Sequence, residues 1–241
     1  MAVRTCGMTL NISWRYLVAF AALTILCGTS HEFVHHFTGA ALCGAFGTKT
    51  FNSFSLAPGC DTDITKAYWA ALAGPILTFA LMWIGYAMLR RDDRASKRMG
   101  FALVFANFPV NRILFVLLNQ NDEQYADKMM FGHSRRVYWF TVFAVLPVAL
   151  PPVIEGFRQL QNRPRVVWFA AFFLLPFVFV ILLAGVFLEN FLLVQNHVLA
   201  TPILGIPWLI LVVEVLSALT FEFFKSAISE NSEPLQRVRS S

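Results

Sequence analysis

The sequence predicts an all-α integral membrane protein of about six transmembrane helices, and three observations carry that prediction. Of 241 residues, 57% are hydrophobic and only 14% charged, with 25 phenylalanines; the mean hydropathy is +0.61. The apolar residues fall in runs near the ~20 residues that a helix needs to cross hydrocarbon. These runs lie at about 16–38, 67–89, 99–119, 137–156, 166–188 and 203–224. Lys and Arg are also distributed unevenly among the connections. With the N-terminus inside, the inner segments hold Arg4, Arg15, Arg90, Arg91, Arg94, Lys97, Arg98, Arg158, Arg163, Arg165, Lys225, Arg237 and Arg239. The outer segments hold Lys49, Lys66, Lys128, Arg135 and Arg136, and Arg112 falls inside the third run. By the positive-inside rule both termini are cytoplasmic. The net charge of +5 is thus read as a topology signal, and no nucleic-acid partner is expected. The connections are short, so 1–241 reads as one membrane domain embedded in the bilayer, ending in a polar tail at 225–241.

The first span carries the motif His31-Glu32-Phe33-Val34-His35. On a helix this HExxH pattern projects two imidazoles from one face, where both can bind one zinc ion, and it places Glu32 to take a proton from the attacking water. Arg15 and the apolar run after it also fit a signal peptide, but apolar character resumes at Phe33, Phe37 and 40–46, which favours an uncleaved span. His36 lies about 100° around the helix from His35, so it is not expected to ligate the same metal; it reads as an interfacial or supporting residue.

The first outer loop follows. Residues 48–57 are rich in β-formers between Gly47 and Pro58-Gly59, which suits a short β-hairpin whose edge would hold an extended peptide. Cys43 and Cys60 bracket this loop and are either a disulfide, in an oxidising compartment, or two free thiols. Span two contains Gly74-Pro75 and, three residues on, Thr78, a close-packing and kink signal. Span three contains Asn107, Pro109, Asn111 and Arg112. Asn107, Asn111 and Arg112, with Thr78, could hold a substrate backbone or stabilise an oxyanion; alternatively they bond between helices, with Arg112 paired to an acid such as Glu214.

A catalytic zinc site wants a third protein ligand at the same depth. Counting ~1.5 Å per residue from Tyr16 puts His31 about 22 Å along its helix, in the outer half of the bilayer. Span three ends at the same side, which makes Asp122 the first choice and Glu123 the alternate, with Glu189 and His197 weaker. The depths differ by several ångströms, which tilt or a fold-back after Leu118 would absorb. Spans four to six carry no motif.

HExxH in span one, Gly-Pro in span two and an acid ending span three together resemble the three-helix core of the site-2 protease family of intramembrane zinc metalloproteases, over about residues 16–130. The resemblance implies one Zn2+ per chain held by His31, His35 and Asp122, and Glu32 as general base. It further implies peptide-bond hydrolysis in membrane-embedded or membrane-associated substrates; charge bias turns the site toward the outer face. Thr78 stands where the family often has Asn, and the Leu-Asp-Gly of its third helix is here Asn121-Asp122-Glu123.

Three other readings compete. A non-catalytic zinc-binding membrane scaffold would keep the ligands without turnover. A membrane di-iron oxygenase needs several histidine boxes, more than the five histidines here supply. A transporter would line a path with Asn107, Arg112 and Glu214, but no paired inverted segments support it. Oligomeric state is not legible.

Overall fold

A computed structural model describes residues 7–230; Arg4, Cys6, Arg237, Arg239 and the tail beyond 230 lie outside the described residues. The chain is mostly helical. Helix α1 runs unbroken over Trp14–Cys43, capped by the Ser13 side chain accepting from the Tyr16 N–H and closed by Gly44 at φ 72°. Left-handed backbone at that position is what glycine supplies at least cost. Helix α2 spans Ile64–Leu89 with Asp63 as N-cap, and Asp93 caps α3, Arg94–Ala106.

The expected third span is interrupted. Phe108 sits at φ 42° between α3 and α4, Pro109–Leu117, because the residue before proline is driven out of helical backbone. The fold-back expected after Leu118 is present: Asn119 adopts φ 63°, and Asn121 then caps a short helix, α5, Asp122–Phe131. Helix α6 spans Arg135–Gln159. Helix α7, Arg165–Val180, continues as a π-helix over Ile181–Gln195, a geometry that is rare and concentrated at functional sites. Helices α8, Trp208–Phe224, and α9, Ser226–Ser229, are the last elements among the described residues.

Five helical segments are long and apolar enough to cross a membrane: Trp14–Cys43, Ile64–Leu89, Arg94–Leu117, Arg135–Gln159 and Arg165–Gln195. The sixth expected span is shorter than the sequence suggests, because its first residues are not helical. Pro202–Ile203 (β1) and Ile206–Pro207 (β2) pair as a small antiparallel hairpin. That leaves α8 about 25 Å at 1.5 Å per residue, under the ~30 Å of a hydrocarbon core. The expected hairpin at 48–57 is likewise corrected: one antiparallel bridge, Lys49 to Phe54, forms there and no strand.

Segments assigned by charge to one side of the bilayer do gather at one end of the molecule. The Met8 N–H donates to Gln159 O at 2.8 Å, Arg98 Nε to Thr9 O at 3.0 Å and the Leu10 N–H to Asn162 Oδ1 at 2.7 Å. At the opposite end the Lys49 N–H donates to Gly205 O at 2.9 Å, and Asn52 Nδ2 to Glu189 Oε2 at 2.9 Å. An apolar core built on Phe20, Leu23, Met82, Phe101, Phe105 and Phe172 fills the space nearer the first end. Outward faces are strongly apolar: Phe143 is 71% and Phe223 79% exposed, surface that water would disfavour and lipid would not. Candidate ligands sit near the second end.

Candidate metal centre

Helix α1 brings His31 and His35 to one face, one turn apart, and α2 crosses against it. The crossing is close because residue 74 has no side chain. A Cβ there would lie 2.3 Å from His35 Nε2 and 2.6 Å from His31 Cε1. Pro75 removes one N–H donor from that turn of α2, and Ala70, at its start, gives its carbonyl to His35 Nδ1 at 2.7 Å. Thr78, one turn on from Gly74, meets His31 Nδ1 at 2.9 Å. The Gly-Pro signal therefore marks the surface on which the two imidazoles rest.

These partners fix what the other ring nitrogens can do. A carbonyl only accepts, so His35 Nδ1 carries the proton and its Nε2 presents a lone pair. Arg112 Nη2 lies 3.2 Å from His31 Nε2; a guanidinium only donates, so this nitrogen also accepts, and His31 Nδ1 donates to Thr78. His31 Nε2 and His35 Nε2 are 3.0 Å apart, and Asp122 Oδ2 is 3.2 Å from His31 Nε2. Three acceptor atoms, all within 4.8 Å of one another, thus converge with no proton available between the imidazoles. Arg112 offsets the repulsion at His31 and Asp122 from one side, and a cation at the centre would also engage His35 Nε2. His31, His35 and Asp122 could hold a metal ion, and two nitrogens with one carboxylate oxygen are a donor set that suits zinc.

Asp122 reaches this point because the chain folds back after Leu118 and starts α5 there. It occupies the first turn of that helix, where the peptide dipoles favour an anion. Partial burial acts to raise its carboxyl, but the Arg112 guanidinium beside it prevails and holds it far below the usual carboxylate range. Arg112 Nη1 bonds both Asp122 Oδ2 and Glu123 Oε2, each at 3.0 Å. Glu123, the alternate ligand, is therefore turned to Arg112 and outside the cluster. Of the two readings of Arg112, interhelical pairing is the one seen, but with Asp122 and Glu123, while Glu214 accepts from Thr29 Oγ1. Arg112 is shared among two carboxylates and a histidine, so it positions Asp122; it is not a free oxyanion donor.

A cavity of about 240 Å3 opens on the cluster, and His31, Glu32, Asp122, Thr78, Asn111 and Arg112 contribute to its lining. Among the described residues no hydrogen bond engages the Glu32 carboxylate, which leaves it able to act on a molecule in the cavity. Asn107 does not join them; its Nδ2 bonds Leu103 O at 2.7 Å within its own helix. Glu189 accepts from Asn52, and neither it nor His197 belongs to the three-residue cluster.

Two contacts were not readable from the sequence. The Phe54 ring stacks on His35, centroids 4.5 Å apart, so the first outer loop covers the site with an aromatic face in place of a strand edge. His36 is buried, and its Nε2 donates to Leu204 O at 2.8 Å, anchoring the β1–β2 hairpin to α1. Cys43 and Cys60 are joined as a disulfide across the base of that loop. No family model, curated protein or solved structure matches this chain.

Proposed function

We propose that the protein is a zinc-dependent intramembrane endopeptidase of the site-2 protease kind, with one Zn2+ on His31, His35 and Asp122. The single observation that carries the reading is the convergence of three proton-free acceptor atoms beside a Glu32 that faces the same cavity. Bound there, zinc supplies Lewis acidity that polarises a peptide carbonyl and lowers the pKa of water. Glu32 accepts a proton from the attacking water as the new C–O bond forms, then delivers it to the amide nitrogen as the C–N bond breaks, leaving a carboxylate and an amine. Thr78 and Ala70 hold the imidazoles in the tautomers that present lone pairs, the supporting role that ligand histidines require. The substrate is a membrane-embedded or membrane-associated polypeptide, since the outward faces beside the cavity are apolar.

Glu32→Gln keeps the shape and removes the base. Its hydrolysis of a membrane-protein substrate should fall by about 100-fold or more while zinc stays bound at the wild-type ratio. Undiminished cleavage in that variant would overturn the mechanism.

A further inference from the structure

The cavity extends beyond the metal cluster, and what encloses its far side comes from outside the α1–α4 region. Phe177, Val180, Ile181, Ala184 and Leu188, from α7 and its π-helical continuation, line one wall. Phe108 also lines the cavity. Its ring is admitted by Gly28, one turn below His31, where a Cβ would lie 3.0 Å from Phe108 Cζ. This single space takes polar side chains such as His31, Glu32, Asp122, Asn111 and Arg112 alongside the apolar ones of the fifth span and Phe108. A peptide carbonyl beside the polar side chains would therefore place an adjoining side chain against the apolar wall.

Resting on the reading of the site as a peptidase, we infer that the fifth span and Phe108 form a size-limited subsite for one medium-sized apolar side chain next to the scissile bond. Volume sets the limit. The space of about 240 Å3 must hold the reacting carbonyl and the attacking water as well as the side chain, and ~150 Å3 is enough for one benzene-sized group in an apolar cavity. A leucine-like side chain fits, a methyl group leaves most of the wall uncovered, and an indole is too large. Phe108 is the adjustable boundary. Its φ of 42° is one that glycine adopts without cost, so Phe108→Gly enlarges the space while easing the backbone.

The test measures binding of three peptidyl hydroxamates to zinc-loaded full-length protein in detergent. They differ only in the side chain beside the chelating group: methyl, isobutyl or indolylmethyl. Wild type should bind the isobutyl compound about tenfold or more tighter than either other. In Phe108→Gly the indolylmethyl compound should come within a few-fold of isobutyl, at unchanged zinc content. Ala184→Leu, which adds bulk to the fifth-span lining, should weaken the isobutyl compound about tenfold. Equal binding of all three by zinc-loaded wild type, or a preference that neither variant moves, would overturn the subsite while leaving the metal site intact. Failure of wild type to retain zinc would overturn the site reading and the subsite with it.

Discussion

At the scale of single residues, the centre depends on one absent side chain as much as on those present. Gly74→Ala would place a methyl group 2.3 Å from His35 Nε2, so one imidazole must leave the cluster. The variant is expected to fold and lose zinc, which elemental analysis of the purified protein checks; retained zinc would mean that α2 can retreat from α1. Much of this was legible. The i, i+4 spacing of His31 and His35 sets their common face, and ionisable groups deep in a span rarely lack a purpose. Depth brings Asn121-Asp122-Glu123 as a group to the correct side, and the structure separates the two acids: Asp122 reaches His31 as well as Arg112, while Glu123 reaches Arg112 and lies outside the cluster. The partner of His35 was not legible, because it is the backbone carbonyl of Ala70, and any residue type there offers the same atom. The partners of Arg112 were not legible either, because the fold-back after Leu118 brings Asp122 and Glu123 to it from a connection whose path the sequence does not fix.

At the scale of elements, the first outer loop is the part most dependent on its surroundings. Its disulfide joins Cys43 to Cys60 across 17 positions, and closing a loop of that length contributes about 3 kcal/mol. Reduction is expected to lower thermal stability in detergent and to speed proteolysis within 48–57, while His31, His35 and Asp122 still hold metal; simultaneous loss of zinc would show that the loop is part of the centre. Lys49 in this loop is 1% exposed and donates from Nζ to Thr50 O at 3.0 Å. Burial pushes its ammonium down to about 8, against the attraction of Glu32, Glu214 and Glu189. An unfolded lysine titrates near 10.4, so the folded chain carries the cost of this buried charge in full below about pH 8. That cost fades as the pH rises toward 10.4, where only the unfolded chain still binds the proton. Lys49→Met is therefore expected to be more stable than the wild type at pH 7, with the advantage shrinking by pH 10. Thermal unfolding at the two pH values checks this, and a destabilised variant at pH 7 would contradict it. The break at Phe108 was signalled by Pro109, but periodicity alone made span three continuous, because apolar residues flank the break on both sides. The β-formers of 48–57 misled in the opposite direction. Side-chain packing of Phe51 into the apolar cluster around Ile206 and Ile210 and of Phe54 on His35 takes precedence over strand pairing.

At the scale of the whole molecule, helical character, membrane-length apolar segments and the sharing of ends among like-charged connections were all readable from composition and charge. The role of the later spans was not. The fifth touches the cavity through apolar side chains spaced along a π-helix, a pattern that looks like any lipid-facing run until its neighbours are known. The central claim is that α1, α2 and the start of α5 assemble one metal site. Elemental mass spectrometry of the detergent-purified full chain, beside His35→Ala, tests it most directly. About one zinc per chain, lost in the variant, is the expected result. No metal above background in the wild type, or equal zinc in both proteins, would contradict it.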